Sequence, residues 1–413
     1  MSRHIVIIGG GVIGTACAHS LTEAGCRVTV LDKGTIGGGC SHGNCGYIAP
    51  SHVLPLTEPG AVRRAWKSLF QKDAPFKVRP RLDFGLMYWF WQFARRCNFQ
   101  DMMRAAPAIQ SLLLSSMTRY EQLVQAGLDA EWQKRGLLYV YRSRERWEAF
   151  AKTNVLLRDQ FNEPARPIEP DELETMEPAL KPGLAGAWYY EHDAHLRPDR
   201  LMRSWKQLLE GRGVQFREHC EVTGFVASGG TVTAVRTRTG DVPCDGSVVA
   251  MGSWSPFLQH ELGCRIPIQP GKGYSITMPR PARCPVYPII FPETRVAVTP
   301  WASGYRLGST MEFAGYDASL RPERLELLRR GSRDYLHEPY CEPVLEEWYG
   351  WRPMTWDSLP IIDRTPRYDN VFLATGHNML GMSMATGTGQ LVAELVTGAT
   401  PHIDPAPYSV RRF

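Results

Sequence analysis

The chain begins with a strand, a glycine turn, a helix and a second strand in a spacing that few folds accept. Ile5 to Ile8 is a β-branched run that reads as a buried parallel strand. Gly9-Gly10-Gly11-Val12-Ile13-Gly14 follows at once and fits G-x-G-x-x-G. Cys17, Leu21 and Ala24 recur on one helical face, and a second strand, Val28 to Leu31, ends in Asp32, eighteen residues past Gly14. Each part has a physical task. Gly9 permits the tight turn, Gly11 lets backbone approach a pyrophosphate, and Gly14 lets helix and strand pack closely. The helix N-terminus offers unpaired N–H groups and a positive dipole end to phosphates, while Asp32 accepts hydrogen bonds from ribose hydroxyls. These elements in this order predict a Rossmann-like dinucleotide-binding α/β unit, with Gly9, Gly11, Val12, Ile13, Gly14, Asp32 and Lys33 as its cofactor-binding residues.

A length of 413 residues exceeds one such unit and predicts two domains. With 47 basic and 42 acidic residues the net charge of +5 is too mild to argue for nucleic acid, and no basic run supports it. The ten cysteines are scattered without a C-x-x-C pair, which fits free thiols in a reducing, cytoplasmic setting. Cys40, His42 and Cys45 cluster without a fourth ligand, so no metal site is expected. The first apolar run is the fingerprint strand itself, which argues against a signal peptide, and no apolar stretch is long enough to span a bilayer. One segment stands apart: Phe84 to Phe93, rich in aromatic residues and followed by Arg95 and Arg96. It reads either as a core helix of the second domain or as a peripheral membrane contact over 84–96.

Further along, residues 84–160 read as mainly helical, Pro164 to Pro182 as a surface connector, and Pro198 to about Leu209 as a helix. A meander of short strands follows: Val214–Arg217, Val222–Ser228 and Thr231–Thr237. Ser247 to Met251 reads as a buried strand turning at Gly252 before Trp254. Residues 268–312 read as β and 321–337 as helix. The chain closes with strand Val371–Ala374, a turn at Thr375-Gly376-His377, and a helix from about Met384 to Val396. Rossmann-like pieces at the start, middle and end, interrupted twice, imply a second domain inserted in two parts.

With these motifs in place the chain resembles the D-amino acid dehydrogenase, glycine oxidase and sarcosine oxidase superfamily of flavoproteins. Ser41-His42-Gly43-Asn44-Cys45-Gly46 resembles the S-x-x-N-x-G loop of D-amino acid dehydrogenases. Ala74-Pro75-Phe76 and the aromatic run ending at Asn98 are similar to a segment of the same subfamily. Val248 to Trp254 resembles the strand and glycine turn that passes the cofactor. Pro270-Gly271-Lys272-Gly273-Tyr274-Ser275 is similar to its entry into the substrate domain. Trp351-Arg352-Pro353-Met354-Thr355-Trp356-Asp357 with Pro360 resembles R-P-x-T-x-D-x-x-P, and Gly376-His377 with Gly381, Gly387 and Gly389 resembles the closing flavin motif. Asp363 stands where that family usually has glycine, and Asn378-Met379-Leu380 replaces a second arginine found in some of its amine oxidases.

The resemblance implies a glutathione-reductase-type FAD-binding domain (1–78, 166–266 and 346–413) and a discontinuous α+β substrate domain built on an antiparallel sheet (79–165 and 267–345). It implies FAD, bound non-covalently, with Ser41, His42, Asn44, Gly46, Val222, Gly252, Trp254, Gly376, Gly381 and Met382 added to the cofactor contacts. Arg352 is implied to grip a substrate carboxylate, with Tyr274 and His377 beside it as further catalytic candidates and Tyr316 and Trp301 as pocket walls. The implied reaction is oxidation of the Cα–N bond of a free amino acid by hydride transfer to the flavin. The D-series is favoured, D-proline and hydroxyproline types included. The product is an imino acid, then a 2-oxo acid and ammonia, and a quinone takes the electrons. Two other readings stay open: a glycine- or sarcosine-type oxidase using oxygen, and a flavin-binding subunit of a hetero-oligomer without its own turnover. Location at the inner face of the cell membrane and self-association are left open by the same residues.

Overall fold

The computed structural model describes residues 2–69 and 74–413. Its first sheet follows from the opening sequence. In order across the sheet lie Ile361–Arg364, Val371–Thr375, Gly246–Val249, His4–Ile8, Arg27–Leu31 and Gln215–Arg217. The last five run parallel. The strand His4–Ile8 is buried along its whole length, as both-face coverage requires of a continuous apolar run. The antiparallel meander Val222–Ser228, Thr231–Thr237 and Gly240–Pro243 lies beside this sheet, turning at Gly229 and Gly230.

Two helices with glycine-rich faces pack on this sheet and on each other. They are Val12–Glu23, which follows the fingerprint, and the closing helix Gly381–Thr397. A Cβ at Gly14 would lie 1.9 Å from the Gly9 carbonyl oxygen, and one at Gly389 would lie 2.4 Å from that of Ala16. Backbone therefore meets backbone, which only glycine allows. The long helix Phe99–Gln125 joins them, burying Ile109, Leu112, Leu113, Met117 and Tyr120 in the same core as Ala385 and Leu391. The Ser116 hydroxyl accepts from the Gly387 N–H at 2.8 Å, and the Tyr120 hydroxyl donates to the Met382 carbonyl at 2.9 Å.

A second sheet carries the other domain. Its order is Phe76–Val78, Met311–Phe313, Ile268–Met278, Gly304–Gly308, Val296–Trp301, Ile289–Phe291, Leu137–Tyr141, Gly186–Tyr190 and Arg166–Ile168. Glu346–Thr355 pairs antiparallel along Ile268–Met278. This redraws the expected boundaries. Residues 166–168, 186–190 and 346–355 pair into the second sheet: Gly186–Tyr190 bonds Leu137–Tyr141 on one side and Arg166–Ile168 on the other, and Glu346–Thr355 bonds Ile268–Met278. Residues 99–125 go the other way, because their apolar stripe faces the closing helix. The expected surface connector 164–182 holds a short strand and the helix Pro170–Met176, and Leu137–Tyr141 interrupts the helical reading of 84–160. The closing helix starts three residues earlier than expected, at Gly381.

Gly389→Ala is expected to destabilise the protein by about 1–3 kcal/mol through overpacking against Ala16. Gly211→Ala, where a Cβ meets nothing within 4 Å, is expected to leave the thermal midpoint unchanged. Parallel thermal unfolding of the two variants checks this.

Candidate active site

A cavity of about 700 Å³ lies between the two domains. Its first end is the fingerprint turn. Gly9 has φ +109°, and a Cβ there would sit 2.4 Å from the Ala250 carbonyl oxygen, so this glycine serves the turn and the neighbouring strand. Gly11 instead faces open space, with only the Ser41 hydroxyl oxygen 3.4 Å from where its Cβ would be. Helix Val12–Glu23 begins there with Gly11 as its N-cap and without an acid in its first turn; the Ser41 hydroxyl accepts from the Val12 N–H. Gly11, Val12 and Ile13 line the cavity. The Asp32 carboxylate accepts from the N–H groups of Gly10 and Gly34, each at 2.7 Å, which fixes it at the end of the second strand. The Lys33 ammonium sits 3.8 Å over the Trp254 ring, and Val222 and Gly252 complete this end.

The opposite end is built around Arg352, on Glu346–Thr355. Gly273 of the paired strand clears the space it needs, since a Cβ there would meet the guanidinium at 2.4 Å, and Gly271 makes room for the neighbouring Met354 side chain. Arg352 Nη1 donates to the Thr310 carbonyl at 2.9 Å. Among the described residues no carboxylate pairs with Arg352, and burial draws its pKa down from the usual arginine value. Guanidinium stays charged in proteins, so this fork is desolvated and lacks an anion. Such a group binds a planar carboxylate in bidentate fashion.

A second helix N-terminus opens into the same space. Gly376 turns the chain at φ +77°, and helix Gly381–Thr397 begins with neither a capping side chain nor an acid in its first turn. Gly381 and Met382 line the cavity. Asn378, at φ +52°, joins this turn to the arginine strand. Its Oδ1 accepts from the Thr355 N–H at 2.9 Å and its Nδ2 donates to the Gly376 carbonyl at 2.9 Å. The His377 ring lines the cavity, but its Nε2 lies 3.0 Å from the Thr388 hydroxyl, and burial pushes its pKa down to about 3. That ring is neutral at any working pH.

Two helix N-termini without an acid in their first turns, facing one cavity beside the fixed carboxylate of Asp32, fit a molecule carrying a diphosphate and a ring that becomes anionic. The first helix and Asp32 would hold the adenosine diphosphate part of FAD, and the closing helix the flavin.

Ser41 and Asn44 line the cavity as expected, and so does Tyr316. Other expected residues do not. Tyr274 points to the opposite face of its strand, into the second domain's core, where its hydroxyl donates to Glu312 Oε2 at 2.8 Å. That placement removes it from the pocket. Gly14 and Gly376 shape the turns rather than the surface, and a Cβ at Gly46 would strike the Leu196 carbonyl oxygen at 1.9 Å. His42 turns outward to Glu346, Nε2 to Oε1 2.7 Å. Trp301 is buried and donates to the Leu196 carbonyl. Sequence reasoning missed Asn378 as a staple, and Cys40, Phe257 and Trp351 as walls. Cys40 was legible as a member of the Cys40, His42 and Cys45 cluster but not as a cavity wall, and Trp351 as the neighbour of Arg352.

The family model described as DAO, FAD dependent oxidoreductase, matches residues 4–395. A D-amino acid dehydrogenase of Granulibacter bethesdensis is 31% identical over 420 residues, covering 99% of both chains. One from Methylobacterium nodulans is 32% identical, also over 99% of each. Among solved structures, glycine oxidase from Geobacillus kaustophilus matches with a TM-score of 0.81 at 21% identity, covering 100% of both chains. L-proline dehydrogenase from P. horikoshii matches at 0.72 and 21% identity, over 100% of this chain and 98% of that one. The last two share the fold.

Asp32→Asn leaves one oxygen for two N–H groups and turns an amide toward one of them. A lost charge-assisted hydrogen bond costs about 1.5–3 kcal/mol, so FAD binding is expected to weaken roughly 10- to 100-fold. Fluorescence titration of the FAD-free protein checks this.

Proposed function

The chain belongs to the DAO family of FAD-dependent oxidoreductases and is an FAD-dependent amino acid oxidoreductase; from that premise we propose that it oxidises D-amino acids and delivers the electrons to a quinone. The observation that carries the reading is Arg352: a half-buried guanidinium with no carboxylate partner among the described residues, in the cavity that holds both helix N-termini. FAD, held non-covalently, supplies the two-electron chemistry. The protein supplies position. Arg352 takes both carboxylate oxygens of the substrate, and its bond to Thr310 keeps the fork in one orientation. The Asn378 staple holds the closing turn against that strand. With the carboxylate fixed, the α-carbon presents its hydrogen to the flavin in a single pose, and proximity does most of the catalytic work. Water then hydrolyses the released imino acid to a 2-oxo acid and ammonia.

No protein base is needed. His377 is neutral above about pH 3 and tied to Thr388. Burial pushes the Tyr316 hydroxyl up to about 12 and its proton is given to the Ser253 carbonyl. The substrate amine therefore reacts in its neutral form, and the rate of flavin reduction follows its deprotonation.

The name of the curated relatives supports the D-series. A quinone acceptor would bring the protein to a membrane surface, and we place that contact on the aromatic segment. Helix Phe84–Arg96 buries Leu86 and Trp89 against Phe313, Met354 and Trp356, and leaves its other face in solvent. Leu82 is 97% exposed, Phe84 82% and Trp91 51%, with Val62 and Trp66 of the neighbouring helix Ala61–Leu69 also exposed. Arg95 stacks 4.6 Å over Trp91 and Arg265 4.6 Å over Tyr88. Apolar side chains fringed by arginine suit the inner, anionic face of a bilayer. Among the described residues no helix is long and apolar enough to cross one.

Anaerobic reduction of the bound flavin tests the activity. D-amino acids are expected to bleach it and their L-isomers to leave it yellow. The rate should rise with pH, and recovery should be fast with a short-chain quinone and slow in air. Arg352→Met is expected to weaken substrate binding by about 100-fold, as loss of a bidentate charged pair requires. Bleaching by L-isomers alone, or a rate that falls as pH rises, contradicts the proposal. For the surface, sedimentation with phosphatidylglycerol vesicles should pull down the protein, neutral phosphatidylcholine vesicles should not, and Phe84→Ser with Trp91→Ser should release it. Equal binding of that double variant contradicts the surface assignment.

A further inference from the structure

The segment Cys40–Gly46 forms one wall of the cavity through Cys40, Ser41 and Asn44, yet its backbone is gripped from the second domain. Arg306 lies on strand Gly304–Gly308 and is 1% exposed. Its Nη1 donates to the carbonyls of His42 at 2.9 Å and Asn44 at 2.7 Å, and its Nε donates to the Thr277 hydroxyl at 2.9 Å. The Thr299 hydroxyl donates to the Cys45 carbonyl at 2.7 Å. The Trp348 ring fills the space a Cβ at Gly43 would take, and Cys45 Sγ fills that at Gly308. Three consecutive-but-one and adjacent carbonyls, those of residues 42, 44 and 45, are thus held by side chains of one sheet. From the other side, the Ser41 hydroxyl accepts the N–H of Val12 at 2.9 Å, at the start of the fingerprint helix. One short segment connects the helix N-terminus that faces the diphosphate to the domain that carries Arg352.

A buried cation is costly unless it is well paired. The carboxylate nearest Arg306 is Glu346, 3.7 Å from Nη2 and about one-third exposed, close enough for an ion pair but too far for a hydrogen bond. An apolar residue would fill this strand position at less cost. What a guanidinium offers instead is geometry: a rigid fork that reaches two carbonyls and a hydroxyl at once. Lysine, with a single ammonium on a flexible stem, cannot span all three.

We propose that Arg306 is a positioning residue for the cofactor: it holds the Ser41–Asn44 wall in register with the N-terminus of helix Val12–Glu23, and so sets FAD affinity and the flavin's surroundings without touching FAD. Thr277, which orients the guanidinium, and Thr299, which holds the next carbonyl, act in the same direction.

The test uses the full chain, stripped of FAD and titrated with it, so it does not depend on which amino acid is oxidised. Arg306→Lys is expected to weaken FAD binding at least tenfold, while the FAD-free protein stays folded with a lowered thermal midpoint. At saturating FAD its visible flavin spectrum should be shifted, sulfite should bind the flavin less tightly, and amide exchange over residues 41–46 should be faster. Thr277→Val and Thr299→Val are expected to weaken FAD binding about threefold each, and they carry the test if the lysine variant does not fold. A structural role alone would lower the FAD-free midpoint and yet leave FAD affinity at a temperature where the protein is folded, the loaded flavin's spectrum and the sulfite affinity as in the parent. That result overturns the proposal, as does unchanged FAD affinity in the variants that fold.

Discussion

Everything at the centre of this molecule depends on two helices whose N-termini open into one cavity, one of them with only its Val12 N–H taken, by the Ser41 hydroxyl. Each leaves unpaired N–H groups and a positive dipole end there, and neither has an acid in its first turn to satisfy them. The arrangement holds only because the helices approach each other backbone to backbone, at Gly389 against Ala16, and because Gly14 lies against Gly9. The glycines therefore do two kinds of work. Some make room inside the protein, as Gly14 and Gly389 do, and others leave room for a ligand, as Gly11 does. A fixed Asp32, an acceptor, and a half-buried Arg352 without a carboxylate partner complete a site that offers positive dipole ends and a guanidinium to anionic groups and a carboxylate to hydroxyl donors.

The second domain sets that demand in place. Its sheet supplies Arg352, clears space for it with Gly273, and grips the wall segment through Arg306 and Thr299. The closing turn is joined back to the same sheet by Asn378. Cofactor site and carboxylate site are thus two ends of one hydrogen-bonded construction. The close Gly273–Arg352 contact within the Ile268–Met278 and Glu346–Thr355 pair makes the K-G-Y and R-P-M-T sequences of this chain neighbours across one ladder.

Much of this was legible in the sequence, because it is local. The fingerprint strand, turn and helix follow from spacing alone, and so does the closing strand and turn. What the sequence hid is tertiary. Period-two alternation marks Tyr274 as a strand residue but not which face of the sheet it takes, and it faces the core. Helical spacing predicts Phe99–Gln125 as a helix but not that its stripe belongs with the nucleotide core. Residues 166–168, 186–190 and 346–355 carry no signal of their sheet, since pairing partners lie far away in the chain. His42 and Gly46 sit in the right motif, yet one turns outward to Glu346 and the other is needed for the turn against Leu196. Asn378 read as a missing arginine, and its role emerges only when Thr355 and Gly376 are brought beside it.

The measurement that tests the account most directly is a crystal structure of the FAD-loaded protein with a substrate-like carboxylate bound. The account predicts the diphosphate against Gly11, Val12 and Ile13, the flavin's pyrimidine edge at the start of the closing helix, and both carboxylate oxygens about 3 Å from the Arg352 guanidinium. A carboxylate held elsewhere, with Arg352 bonded to Thr310 alone, would contradict it.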